Sequence, residues 1–233
     1  MILSSVIRRW ATFSCVALLP LTAHAGSLRA PVDVSVAPWR ALGRVQTELG
    51  TRCTGFLIAP RIVLTAAHCL FQHRTLGYVQ PSSVHFLWGY ADGAYRDHAR
   101  VSAFAIAPGY DPMREGQTLG LDRAFLTLDH ALGRMSDSAP LAPELPAIGT
   151  ALVLGGYDRD HPEILMGDTC HLAGFGRDGG GHRLLVHDCY GEPGSSGAAL
   201  FAQAPDGHWA AVGIEVAVTG PGGMTGLAEP LAP

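Results

Sequence analysis

The sequence predicts an all-β fold, a barrel or sandwich built from short antiparallel strands. Three observations carry this expectation. Apolar runs of strand length recur along most of the chain, turn-forming residues separate them, and no apolar repeat of helical length appears. In order, the runs are ALGRVQTEL, RCTGFLIA, RIVLTAA, SVHFLWGY, RVSAFAIA, RAFLTLD, ALVLGGY, TCHLAGFG, RLLVHDC, GAALFA and WAAVGIEVAV. Breaks such as APR, YDPMREGQ, DRDHP, GRDGGGH and APDGH fall between them. Gly (29) and Pro (16) make up about a fifth of the 233 residues and are scattered, which fits many turns rather than low complexity.

Composition changes over residues 135–149, MSDSAPLAPELPAIG, where prolines cluster in a strand-poor stretch. It reads as a linker between two units, 38–140 and 141–233, with about five or six strands on each side. No repeat relates the halves, and a single sandwich with a long surface loop is the alternative on these grounds alone. Hydrophobic residues at 48% against 15% charged allow a sizeable core and exclude disorder. A net charge of −4 with no basic stripe excludes nucleic acid as a natural partner.

Residues 1–25 read as a signal peptide. Arg8 and Arg9 precede an apolar run from Trp10 to Leu21, and Ala23-His24-Ala25 is a small-x-small cleavage signal. The run is too short to span a bilayer comfortably, and no later segment is a transmembrane candidate. The expectation is a monomeric protein, secreted or periplasmic, with no membrane association after cleavage. Residues 26–37 are then an N-terminal arm or a short propeptide.

Export shapes the cysteine reading. Beyond Cys15, the chain holds Cys53, Cys69, Cys170 and Cys189. Four cysteines in an oxidising compartment suggest two disulfides with three possible connectivities. Neighbour pairing, Cys53–Cys69 and Cys170–Cys189, closes two short loops, each worth about 3 kcal/mol. The stretch CHLAGFGRDGGGHRLLVHDC adds His171, His182 and His187 between two cysteines, but its intervals match no compact zinc pattern. No metal and no cofactor are expected.

Three stretches carry chemistry. In CTGFLIAPRIVLTAAHC, a disulfide would staple the segment bearing His68, which suits a fixed general base. In LGLDRAFLTLD, Asp122 lies among apolar residues; it is either turned outward or buried with a partner, such as an imidazole it orients. In GEPGSSGAALF, a glycine-rich turn presents Ser195 and Ser196. A serine needs a base to become a nucleophile, and backbone N–H groups of such a turn can form an oxyanion hole. Neither serine fits G-x-S-x-G, and the order His, Asp, Ser is wrong for an α/β-hydrolase.

VLTAAHC, LDRAFLTL and PGSSGAALF together resemble the three catalytic blocks of the trypsin/chymotrypsin-like serine proteases, in the family's order, over about residues 38–227. The resemblance implies two six-stranded antiparallel β-barrels with the active site in the cleft between them. It implies a triad of His68, Asp122 and Ser196, and an oxyanion hole from the N–H groups of Gly194 and Ser196. It implies a primary specificity pocket with Tyr190 near its base and Glu215 on its wall strand. The pattern departs from trypsin at Ser195, where trypsin-type enzymes carry the aspartate that receives a new N-terminus, and no IVGG-like start is present. It is closer to the bacterial branch resembling glutamyl endopeptidases. Those enzymes tend to place a histidine near the Glu215 position, which this chain lacks. Glu215 either faces solvent or favours a basic substrate side chain by charge pairing. The function implied is an exported serine endopeptidase acting on polypeptides through an acyl-enzyme. The alternative is a catalytically silent binding protein on the same fold.

Overall fold

The computed structural model describes residues 29–220 and 224–232; the proposed signal peptide lies outside the described residues. Twelve strands form two closed barrels. The first contains β1 (Leu42–Thr47), β2 (Arg52–Ala59), β3 (Ile62–Thr65), β4 (Val84–Trp88), β5 (Asp97–Ile106) and β6 (Ala124–Leu128). The second contains β7 (Ala151–Gly156), β8 (Met166–Arg177), β9 (Arg183–His187), β10 (Ala199–Gln203), β11 (Trp209–Thr219) and β12 (Thr225–Pro230). All neighbours are antiparallel. Around the first barrel the order is β1-β2-β3-β6-β5-β4, and around the second it is β7-β8-β9-β12-β11-β10. The two halves therefore share one topology, although no repeat is visible in the sequence. Closure leaves no free sheet edge in either barrel.

The reason these segments are strands is visible in their burial. In β5 the buried positions Ala99 and Val101 alternate with exposed ones, as a pleated strand with one wet face requires. Other strands are buried nearly throughout, because the second face packs on loops or on the other barrel. Phe56, Phe86, Leu64, Leu126 and Leu128 fill the first barrel. Leu152, Leu154, Leu172, Leu185 and Leu200 fill the second. One short helix, Glu115–Thr118, is the sole α-helix among the described residues. The proline-rich stretch connects the barrels and is tied to both: Ala139 N–H donates to Leu57 O at 2.7 Å, and Ala142 N–H to Ala211 O at 2.9 Å. The strand β12 was not among the sequence-read runs, since TGLAEP has neither alternation nor a β-branched core.

Both disulfides join neighbours, Cys53–Cys69 and Cys170–Cys189. The N-terminal arm is part of the fold. Ala30 and Pro31 pair with Gly167 and Met166 of β8, and Val32 N–H donates to Leu165 O at 3.1 Å.

The barrels meet at Thr54 on β2, which is fully buried. Its N–H donates to Ser196 O at 2.9 Å, and its hydroxyl donates to Gly194 O at 2.9 Å. The same hydroxyl accepts from Tyr157 N–H at 2.9 Å, and the Thr54 carbonyl accepts from the Thr65 hydroxyl at 2.7 Å. Thr54→Val keeps the shape and removes the hydroxyl, leaving the buried Tyr157 N–H and the Gly194 carbonyl unpaired. It is expected to cost about 3 kcal/mol and to lower Tm by roughly 6–12 °C in thermal unfolding. A Tm within 2 °C of the native protein would contradict the role given to this residue.

Candidate active site

His68 sits in the 3-10 turn Ala67–Leu70, directly after β3. Asp122 ends the 3-10 turn Leu119–Leu121, directly before β6. β3 and β6 are neighbours, with Thr65 opposite Ala124, so pairing of the strands brings the two turns together. Both oxygens of Asp122 are then used. One accepts the His68 backbone N–H at 2.9 Å, and the other lies 2.6 Å from Nδ1 of the ring. The carboxylate is buried at 1% exposure, while the imidazole keeps 26% of its side chain open. A proton on Nδ1 facing Asp122 leaves Nε2 as the lone-pair nitrogen on the open side.

The electrostatics follow from this contact. Burial alone would pull the His68 pKa down, but the charge and hydrogen bond of Asp122 outweigh it, and the net shift is upward from 6.5. A second carboxyl, Glu229 on β12, lies behind the pair, 3.4 Å from Arg123. Burial pushes it up to about 8 against the pull of Arg123, with the Asp122 charge adding to the rise.

The Gly-Ser loop, residues 191–197, comes from the second barrel and is laid against this turn. Ser196 O accepts from Thr54 N–H and lies 3.9 Å from Cys69 Sγ, one residue from His68. Gly197, at φ +82°, lets the loop approach so closely that a Cβ would fall 2.2 Å from Thr65 Oγ1 and 2.3 Å from Thr54 O. The two serines differ. Ser195 is 3% exposed, and its hydroxyl and N–H both donate to Glu192 O, at 2.8 and 3.0 Å. Ser196 is half-buried. The N–H groups of Gly194 and Ser196 have no acceptor among the described residues.

Beside Ser196 lies a cavity of about 160 Å³ lined by Glu192, Pro193, Ser195, Ser196, Glu215, Ala217 and Val218. Glu215 thus faces this cavity and not solvent, at 1% exposure. A histidine does stand beside it, contrary to the sequence expectation: His187 Nε2 is 2.6 Å from one Glu215 oxygen. β9 and β11 both pair with β12, which brings His187 to Glu215 across Gly226 and Ala228. Burial pushes the Glu215 carboxyl up, against the pull of His187. Tyr190 does not line the cavity. Its ring lies under the Arg29 guanidinium, 4.3 Å away, and its hydroxyl donates to Glu192 at 2.6 Å. In both Cys/His groupings the sulfurs are joined to each other, Cys53 to Cys69 beside His68 and Cys170 to Cys189 beside His187.

Two antiparallel six-stranded barrels, with His and Asp from one facing a Gly-Ser loop from the other, define the chymotrypsin-like class of proteins. The trypsin-like peptidase domain matches residues 53–214, and the chain belongs to that family. Serine protease 23 of Rattus norvegicus is 28% identical over 67% of this chain and 44% of its own length. The cercarial protease of Schistosoma mansoni is 33% identical over 47% of this chain and 45% of its own length. The chain spans less than half the length of these curated relatives. In fold it is similar to a Glu endopeptidase solved in complex with MPD, with a TM-score of 0.71, 20% identity, and coverage of 88% of this chain and 91% of that one.

The double grip of Asp122 predicts a titration. In NMR of the ¹⁵N-labelled protein, the His68 ring is expected to titrate above 6.5. Asp122→Asn removes the charge that raises it, so the midpoint should move to lower pH. A native midpoint at or below 6.5 would contradict the arrangement.

Proposed function

We propose that the protein is an exported serine endopeptidase that cleaves polypeptides through an acyl-enzyme. Ser196 attacks the scissile carbonyl while Nε2 of His68 takes the hydroxyl proton. Asp122 fixes the ring and stabilises the imidazolium that forms. The tetrahedral oxygen is received by the Gly194 and Ser196 N–H groups. His68 then protonates the leaving amine, and water entering on the same base releases the acyl group. The observation that carries this reading is Asp122 binding both the backbone and the ring of His68, which fixes the orientation of that ring. Ser195 is unsuited to the role because its hydroxyl is already committed to Glu192 O. Export is supported by the N-terminal charge and hydropathy pattern and by the two disulfides; no helix among the described residues is long and apolar enough to cross a membrane.

The pocket supports a limited specificity. Glu215 lines it together with the apolar Pro193, Ala217 and Val218. Glu215 is already bound to His187 and is biased by burial toward its neutral form, so it offers little net charge to a basic side chain. A small or medium uncharged residue before the scissile bond suits this space.

Two measurements test the reading. A fluorophosphonate probe is expected to label the native protein, and Ser196→Ala should abolish labelling. Loss of the triad serine should also reduce turnover of fluorescein-casein by several orders of magnitude. A native protein that stays unlabelled, or an alanine variant that still labels, contradicts it. In a peptide-library cleavage profile, Lys and Arg should not dominate the position before the cut. A dominant basic preference would show that Glu215 acts as a charged anchor after all.

A further inference from the structure

The segment after β7, Tyr157–Asp160, passes under the nucleophile loop. Arg159 N–H donates to Pro193 O at 2.7 Å. The Pro193–Gly194 peptide is planar, and in a trans unit the C=O and the N–H point in opposite directions. Pinning Pro193 O on Arg159 therefore turns the Gly194 N–H to the other side, away from Arg159. Gly194, at φ +111°, lies so close to the same segment that a Cβ would stand 2.3 Å from Tyr157 O and 3.2 Å from the Asp158 Cα. The position of residues 157–159 thus sets the direction of one of the two N–H groups proposed to meet the oxyanion.

What fixes this segment is a cation from the N-terminal arm. The Asp158 side chain turns inward and is 2% exposed. One of its oxygens pairs with Arg29 Nη1, and the other has no hydrogen-bond partner among the described residues. The second nitrogen of the same guanidinium bonds Asp160 at 2.7 Å. Its face lies 4.3 Å from the centre of the Tyr190 ring, whose hydroxyl bonds Glu192. One planar group therefore touches two segments beside Pro193–Gly194, through Asp158 and Asp160 on one side and Tyr190 on the other. Burial pushes the Asp158 carboxyl up to about 7 despite the pull of Arg29. Without that guanidinium the carboxyl would be buried with no partner of opposite charge, an arrangement the segment would escape by moving or by protonation.

We propose that Arg29 is a positioning residue for the oxyanion hole: by bracing Asp158 and Tyr190 it keeps the Pro193–Gly194 peptide turned so that the Gly194 N–H faces the substrate. The arm from Arg29 onward is then a retained part of the enzyme and not a removable prosegment. A side chain supplies the cation, so a free α-amino group is not needed. This inference rests on the serine-peptidase reading above.

The test uses the full-length chain and the second-order rate of fluorophosphonate labelling, which depends on an oxyanion and needs no knowledge of the substrate. Arg29→Gln is expected to slow labelling by about ten- to a hundredfold. On fluorescein-casein the loss should fall on kcat, with KM within about twofold. Arg29→Lys keeps the charge without the two-pronged plane and should recover part of the rate. Arg29→Ala should recover in added methylguanidinium, which should leave the native protein unaffected. Circular dichroism of the same samples reports the folded fraction. A Gln variant within twofold of the native rate overturns the proposal. So does a loss that tracks the folded fraction and responds neither to Lys nor to methylguanidinium. If the native protein itself fails to label, it is the peptidase reading that falls, and the inference falls with it.

Discussion

One buried threonine ties the two barrels together at the place where chemistry would occur. Thr54 uses its N–H, its hydroxyl twice and its carbonyl, and the partners are Ser196, Gly194, Tyr157 and Thr65. Each barrel closes its own sheet, while one apolar cluster runs through both, with Phe56 of the first and Phe201 of the second 6.4 Å apart between ring centres. To that packing the Thr54 seam adds polar contacts. It lies one residue from Cys53, whose disulfide reaches Cys69 beside His68. The turn bearing His68 and the loop bearing Ser196 are thus attached to the same short stretch of β2. Small displacements of either would be resisted by several buried hydrogen bonds at once.

From that seam the site is assembled out of ordinary backbone constraints. Pairing of β3 with β6 brings His68 to Asp122. A glycine in the left-handed region lets the loop press on Thr65. A planar peptide pinned at Pro193 O aims its neighbour's N–H. Asp122 touches the ring and its charge raises the His68 pKa, while burial pushes the nearby Glu229 carboxyl up. The specificity side follows a different logic. There Glu215 Oε2 and His187 Nε2 pair in the interior, while Glu215 Oε1 and His187 Nδ1 have no hydrogen-bond partner among the described residues.

Much of this was legible in the sequence, and the limits have a physical cause. Strand-length apolar runs located eleven of the twelve barrel strands; Thr225–Pro230 escaped because its burial comes from neighbours on both sides and not from its own pattern. Likewise, the shared topology of the halves left no repeat, because backbone pairing tolerates any side chains that keep inside and outside apart. His68, Asp122 and Ser196 sit in local blocks with a recognisable composition, and the structure brings the first two into contact. Thr54, Arg159, His187 and Arg29 were not read as functional. Their contacts are with residues distant in the chain, Arg29 with Asp158 for example, and a lone arginine carries no local signal. His187 was weighed only as a metal ligand, since its partner Glu215 lies across a strand that was itself unread.

In the proposed mechanism Ser196 and the two N–H groups of its loop form one reacting centre with His68, held by contacts from both barrels. A crystal structure of the fluorophosphonate adduct tests it most directly. Phosphorus is expected on Ser196 Oγ, with the phosphonyl oxygen within hydrogen-bond distance of the Gly194 and Ser196 N–H groups and Pro193 O still on Arg159 N–H. An adduct on Ser195, or a Pro193–Gly194 peptide turned the other way with its carbonyl toward the phosphonyl oxygen, would contradict it.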